Sequence, residues 1–284
     1  MLGDRDLERV ADLVQESATA ELLSRFRRLG PGDIREKSPG DLVTVADLAC
    51  ERRLAAGLAL ILPGAPVVGE EAVAAEPGLL SHIAEAELAW IVDPLDGTSN
   101  FARGHDRFAV IVALARRGET VAAWIHDPVR GRMAVGSLGG GVRFDGKTSE
   151  LPPAPPLKDT NGFVGYKFKR EVVSRLGPDA LSRLGGLTTF GCAGLEYLET
   201  LNGRSHFSLY RWTKPWDHAA GALLVREAGG IANRHDGAPY APTQRVDAGI
   251  LVASDEGRWR ELYELLMGAP APLLDGAGGR GAAC

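Results

Sequence analysis

Two carboxylates stand three residues apart in the stretch WIVDPLDGTSNF, residues 90–101: Asp93 and Asp96, on either side of Pro94 and directly after the apolar run Leu88 to Val92. The apolar run suits a buried strand, and Pro94 stops it from continuing as a central one, so a turn is expected over Asp93 to Gly97. Like charges on one tight turn disfavour joint ionisation unless solvent or a cation lies between them. Magnesium answers that need, because it takes oxygen ligands from one or two carboxylates together with water and substrate phosphate; a kink at Pro94 could also turn the Leu95 carbonyl inward. Past Gly97 the chain can open a short helix whose free N–H groups suit an anion. One turn thus offers donors for a metal and for a phosphate, although Asp-Pro and Asp-Gly are also ordinary turn dipeptides that merely solvate a loop.

Two further places supply acids. PVVGEEAV, residues 66–73, is an apolar run ending in Gly69 and the pair Glu70 and Glu71, and KPWDHAAGALLVREAGG, residues 214–230, puts Asp217 at the start of a helical pattern that includes Ala220, Leu223, Leu224 and Ala228. Alone, Asp217 would read as a helix N-cap. Taken together, GEE at 69–71, DPLDGTSNF at 93–101 and WDHAAG at 216–221, in that order and with KSPGDLVTVAD at 37–47, resemble the signatures of the inositol monophosphatase superfamily, the lithium-sensitive, magnesium-dependent phosphomonoesterases. The resemblance covers about residues 5 to 265.

That resemblance implies roles by position. Glu70, Asp93 and the Leu95 carbonyl are similar to the ligands of a first magnesium, and Asp93, Asp96 and Asp217 to those of a second, with Glu70 helping to hold a weaker third ion through water. Asp47 and Thr98 resemble the dyad that orients and deprotonates the attacking water, and the N–H groups of Gly97 and Thr98 the cradle of the phosphate. Substrate contacts are implied for Asp96, Cys192, Ala193, Tyr210 and Asp217. Where relatives acting on inositol phosphate or histidinol phosphate usually carry an acid, seven positions before Asp217, this chain has Tyr210. A phenol lacks two acceptor oxygens but can stack and donate one hydrogen bond, so a substrate with an aromatic or a second anionic group is expected to be favoured. Glu196 or Glu199 are the alternative source of the missing acid.

The chemistry stands without the family. Phosphomonoester hydrolysis needs an in-line water, neutralised phosphoryl oxygens and a stabilised leaving alkoxide, and two metal ions meet all three needs. The six histidines are scattered; His218 is expected on a helix surface, since magnesium disfavours imidazole. The alternatives to an inositol-1-phosphatase-like enzyme are an activity of the 3′-phosphoadenosine 5′-phosphate or fructose-1,6-bisphosphate phosphatase type, or a regulatory binding role on the same fold.

Positioning these residues requires helices and strands in alternation. Leu7, Val10, Leu13, Val14, Ala18, Leu22 and Phe26 recur at helical spacing and predict an amphipathic helix over 4–29. GPGDIREKSPGD, residues 30–41, is rich in breakers and predicts a mobile loop with Lys37 solvated. A second helix over 44–61 would carry Asp47 near its start. Apolar runs at 108–115, 120–126 and 133–135 predict an antiparallel meander, and GSLGGGVRFDG reads as a glycine-rich hairpin, not a nucleotide loop, because no helix follows it. LPPAPPLKD, residues 151–159, marks the expected boundary between an N-terminal metal- and phosphate-binding part, 1–150, and a C-terminal part, 151–268. Beyond it, strands near 162–166, 187–190, 205–210 and 249–253 alternate with helices near 171–180, 195–202, 216–228 and 256–267. Such alternation places helices on sheet, and the resemblance implies the layered α/β/α/β/α sandwich. The tail, 269–284, is expected to be poorly ordered.

The 284 residues, 45% hydrophobic and 24% charged, are ordinary for a globular protein. A formal charge of -5 argues against a nucleic-acid surface built on bulk electrostatics. Cys50, Cys192 and Cys284 are too few and too unevenly spaced for a disulfide framework or a zinc site, which suits a reducing cytoplasm. MLGDRDLERV lacks the pattern of a signal peptide, and no apolar stretch reaches membrane-spanning length. The expected partner is a small phosphorylated metabolite, and the resemblance implies a homodimer.

Overall fold

Leu7, Val10, Val14, Ala18 and Leu22 are all buried, and their spacing folds Asp4–Ser17 into helix α1, continued by a wider turn over Ala18–Leu23. The computed structural model describes residues 2–274. The first helix therefore ends earlier than its periodicity predicts. Residues 30–44 are not a plain loop: β1 (Ile34–Ser38) and β2 (Asp41–Thr44) pair as an antiparallel hairpin. Its turn holds Gly40 at φ 78°, a conformation glycine adopts at no steric cost. Helix α2 (Val45–Ile61) follows at once, with Thr44 as N-cap accepting the Ala46 N–H.

The next elements are β3 (Val67–Gly69), α3 (Glu70–Ala75), α4 (His82–Glu85), β4 (Ala89–Asp96), α5 (Thr98–Ala102), β5 (Ala109–Arg116), β6 (Glu119–Asp127), β7 (Arg132–Ser137), β8 (Gly141–Phe144) and β9 (Lys147–Ser149). The seven strands from β3 to β9 lie in sequence order in one sheet, with only the β3–β4 pair parallel. The glycine-rich segment forms turns between its last strands, as expected. β4 runs past Pro94, contrary to the expected turn. The sheet tolerates the missing donor because the pairing with β5 shifts between Asp93, opposite Ile111, and Asp96, opposite Ala109.

A second sheet follows, built from β10 (Asn161–Val164), α6 (Tyr166–Leu181), β11 (Gly186–Thr188), α7 (Ala193–Leu201), β12 (Phe207–Tyr210), α8 (Pro215–Glu227), β13 (Ile231–Asn233), β14 (Ile250–Ala253) and α9 (Glu256–Met267). Its strand order is β11-β10-β12-β14-β13; the first three are parallel and β14 is antiparallel to both neighbours. α6 is kinked at Gly177, before Pro178.

Three apolar cores define five layers. α1 and α2 cover one face of the seven-stranded sheet through Val10, Leu54, Trp90 and Trp124. α7 and α8 fill the space between the sheets, with Ile91, Ile111, Tyr197, Leu223 and Val252 in one continuous core. α6 and α9 cover the outer face of the second sheet through Phe168, Leu209 and Trp259. This is the α/β/α/β/α sandwich expected. α7 and α8 cross in close contact because position 221 is glycine: a Cβ there would lie 2.2 Å from Tyr197 Cδ2. No helix among the described residues is long and apolar enough to cross a membrane. The tail expected to be poorly ordered lies, from residue 275 onward, outside the described residues.

Candidate active site

Four acids from three parts of the chain meet at the ends of these elements. Asp93 projects from the irregular stretch of β4 and is 2% exposed; Asp96 ends the same strand, Glu70 opens α3, and Asp217 lies in the first turn of α8. Asp217 is the third helical residue and not the N-cap, a place taken by Lys214. Burial, reinforced by the charge of Glu70, holds the Asp93 and Asp217 carboxyls well above the usual carboxylate range. Burial raises Asp96 to about 6, against the opposing hydrogen bonds from Gly194 and Cys192.

As placed, no three acidic, histidine or cysteine side chains among the described residues form a ligand cage. Their oxygens instead face protein donors. Asp93 Oδ1 accepts the Leu95 N–H at 3.0 Å, and Asp96 Oδ2 accepts the Gly194 N–H at 2.6 Å and the Cys192 thiol at 3.1 Å. The donor chemistry nevertheless fits a hard divalent cation: the set is all oxygen, and the charge of Glu70 disfavours ionisation of Asp93, Asp96 and Asp217.

Asp47 and Thr98 are brought together. Asp47 is the third residue of α2 and 1% exposed, and Thr98 opens α5. Thr98 Oγ1 lies 2.9 Å from Asp47 Oδ1 and 3.0 Å from the Leu95 carbonyl oxygen. Asp47 Oδ2 accepts the Thr44 N–H at 2.9 Å and the Thr44 hydroxyl at 2.5 Å, so the same carboxylate closes the start of α2. Burial raises its pKa to about 6, against those bonds. The turn between β4 and α5 needs Gly97, which has φ 89° and where a Cβ would lie 2.7 Å from the Arg107 carbonyl oxygen.

Lys37 corrects an expectation. It is not solvated: its side chain is 15% exposed, and Nζ lies 2.9 Å from Glu71 Oε1 and 3.1 Å from Glu70 Oε1. Lys214, which the sequence reading passed over, lies 3.5 Å from the same Glu70 oxygen. Burial disfavours both ammonium charges, but the neighbouring acids, Glu70 foremost, outweigh it and raise both pKa values. Glu51 accepts the Glu71 and Ala72 N–H groups at 2.8 Å each and so secures the start of α3. The only sequence signals for the two lysines were their places inside KSPGDLVTVAD and just before PWD.

Cys192 and Ala193 stand at the start of α7, both buried, with the Cys192 thiol on Asp96. Tyr210 departs from its expected role. Its hydroxyl is not free to donate outward, because it donates to Glu196 Oε2 at 2.5 Å and the residue is 6% exposed. Glu196 Oε1 also accepts the Phe190 N–H at 2.6 Å and the Thr189 hydroxyl at 3.1 Å. Of the two alternative acids, Glu196 is therefore the one at Tyr210; Glu199 is held by Arg132 at 2.8 Å. Burial raises the Glu196 pKa to about 7. His218 was expected on the surface and is buried, 2% exposed. Its Nε2 lies 3.1 Å from the Trp212 carbonyl oxygen, which only accepts, so Nε2 carries the proton and Nδ1 accepts from the Tyr197 hydroxyl at 3.0 Å. Burial lowers its pKa to about 3 and keeps it neutral.

A family model described as the inositol monophosphatase family matches residues 5–273. The Nus factor SuhB of Pseudomonas aeruginosa is 31% identical over 90% of this chain and 94% of its own length. The inositol-1-monophosphatase of Mesorhizobium japonicum is 32% identical over 80% of this chain and 84% of its own. Among solved structures, the Thermotoga maritima IMPase superposes with a TM-score of 0.77 at 22% identity, covering 90% of this chain and 94% of that one, a likeness of fold. With the model spanning nearly the whole chain and its three acidic motifs in place, the protein belongs to the inositol monophosphatase family of phosphoric monoester hydrolases.

Proposed function

We propose that this chain hydrolyses the phosphomonoester of a small metabolite by attack of a water activated by magnesium ions and by the Asp47–Thr98 pair. The observation that carries the reading is the 2.9 Å hydrogen bond between those two side chains, set beside the acids of β4, α3 and α8. Glu70, Asp93 and the Leu95 carbonyl would hold one ion and Asp93, Asp96 and Asp217 a second, with Glu70 reaching a third through water. When bound, the ions acidify water and offset charge on the phosphoryl oxygens. The Thr98 hydroxyl, donating to Asp47, keeps a lone pair for a proton of the attacking water and passes its own proton on. Asp47, with a pKa of about 6, is ionised at neutral pH yet basic enough to receive it. The N–H groups of Gly97 and Thr98 would hold the phosphate. Cys192 and Ala193 would contribute the wall of the substrate site. The same reading carries a homodimer, a cytoplasmic setting and inhibition by lithium.

A second reading, a partner-binding role on the same surface, is favoured by the name of the Pseudomonas relative, a Nus factor. Phosphate release from a panel of phosphorylated metabolites, with magnesium and with chelator, is the test of the first reading. Magnesium-dependent release from at least one is expected, and none from any would leave the second.

A further inference from the structure

Gly69 is the N-cap of α3, a place that usually goes to a residue whose side-chain oxygen accepts the N–H of the second or third helical residue. Gly69 has no such oxygen, and its φ of -95° is open to any residue, so backbone freedom does not explain the glycine. Space does. A Cβ at position 69 would run into the carboxyl group of Glu51, a buried residue of α2. Glu51 supplies the missing cap from that other helix: its Oε2 accepts the Glu71 N–H and its Oε1 the Ala72 N–H, each at 2.8 Å. These are the two amides that a capping side chain at position 69 would take.

Asp47 and Glu51 are one turn apart on α2 and so on the same face of it. Asp47 reaches Thr98, 2.9 Å away, and Glu51 reaches α3, whose first residue is Glu70. One 17-residue helix thus carries the acid assigned to water activation and also holds, through two hydrogen bonds, the backbone next to an acid assigned to the metals. Local structure gives that backbone little support of its own. α3 has six residues, too few for a helix to be stable alone, and it follows β3, a three-residue strand at the edge of its sheet.

We infer that Glu51 is a positioning residue, which fixes the Glu70 carboxylate relative to Asp47 by tying the start of α3 to α2. The inference deepens the phosphomonoesterase reading above and rests on it. It also gives the glycine of GEE a reason: position 69 is left empty so that a carboxylate from α2 can pass.

A cap and a tether can be separated by experiment. Glu51→Ala removes both. Adding Gly69→Asp returns a carboxylate to the N-cap, in the room that Glu51 vacates, and so restores the cap without the link to α2. In chelator, Glu51→Ala should lower the thermal midpoint, and Glu51→Ala/Gly69→Asp should recover most of that loss. Magnesium affinity, read by calorimetry without substrate, should fall about tenfold or more in Glu51→Ala and stay low in the double variant, with kcat/KM following it. Glu51→Gln, which keeps the length and one acceptor oxygen, should lie between wild type and Glu51→Ala in both readouts. If Glu51→Ala does not fold, the double variant and Glu51→Gln carry the same comparison. A double variant that regains magnesium affinity along with stability makes Glu51 a helix cap and nothing more, and so do variants that lose stability yet bind magnesium as the wild type does; either result overturns the inference. A wild type that binds magnesium and releases phosphate while its variants follow the cap pattern defeats this inference alone; a wild type that does neither defeats the function on which it rests, and the inference with it.

Discussion

Thr98 and Asp47, 51 residues apart in sequence, are joined by a 2.9 Å hydrogen bond from hydroxyl to carboxylate. A pair so linked acts as a unit. Thr98→Ala and Asp47→Asn should each lower kcat by about 10²- to 10⁴-fold, with KM little changed, and the double variant should lose no more than either single one. Asn is the right replacement at 47, since its amide oxygen can still accept the Thr44 N–H and keep the start of α2 closed; Ala there would cost about 1 kcal/mol of stability as well. Losses that multiply in the double variant would break the pairing.

Asp93→Asn should abolish turnover and yet stabilise the protein in chelator. Asp93 is buried against the charges of Glu70, Asp96 and Asp217, so a neutral amide relieves repulsion. The thermal midpoint in EDTA should rise by roughly 2–4 °C for each kcal/mol gained, and the further rise that magnesium gives the wild type should shrink. Turnover above about a tenth of wild type, at saturating magnesium, rules out Asp93 as a bridging ligand.

Tyr210→Phe removes the hydroxyl that Glu196 accepts at 2.5 Å, and the buried carboxyl loses a strong donor. A destabilisation of about 1–3 kcal/mol in urea titrations is expected. Tyr210→Glu should be worse, because it sets a second carboxyl against Glu196 in a dry place, and adding Glu196→Gln should recover part of the loss. A Tyr210→Glu protein as stable as Tyr210→Phe contradicts that placement.

Glu196 also predicts how stability varies with pH. Burial raises its pKa from the ordinary 4.5 to about 7 in the folded protein. Between those values the folded form keeps a proton that the unfolded chain has lost, so stability falls as pH rises through this window, by about 3 kcal/mol in all, and the penalty is complete above about pH 7. Glu196→Gln lacks this term. The stability difference between wild type and variant, measured by denaturant unfolding at pH 5 and pH 8, should move against the wild type; a difference that stays constant would mean that Glu196 is ionised in the folded state throughout.

The placing of the acids near one another was legible because each lies in a contiguous run with its own local signal: two carboxylates flanking a proline that disturbs the pairing of a strand, and a glycine before a helix. The layered fold followed from alternating periodicities on the same footing. What stayed hidden depends on packing between distant segments. Lys37 looked like a loop lysine because Pro39 and Gly40 signal a break, while the hairpin that carries it toward Glu70 is set by pairing with β2. Glu196 and Tyr210 are 14 residues apart on a helix and a strand, and no spacing rule joins them. His218 was misplaced because a polar residue beside Asp217 suggests an exposed face, whereas α8 has almost none. The three-residue β13 is too short to show a period at all.

That enclosure of α8 reaches further than the burial of one histidine. From Ala219 to Val225 every residue is buried, with one sheet on each side. A helix clamped in this way cannot tilt unless two sheets part together, so its central amides should exchange with deuterium only when the whole molecule opens. Damage also travels along it. A void made at Leu223 or Leu224, two turns from Asp217, would loosen the seat of this stiff rod, and the carboxylate in its first turn would shift with it.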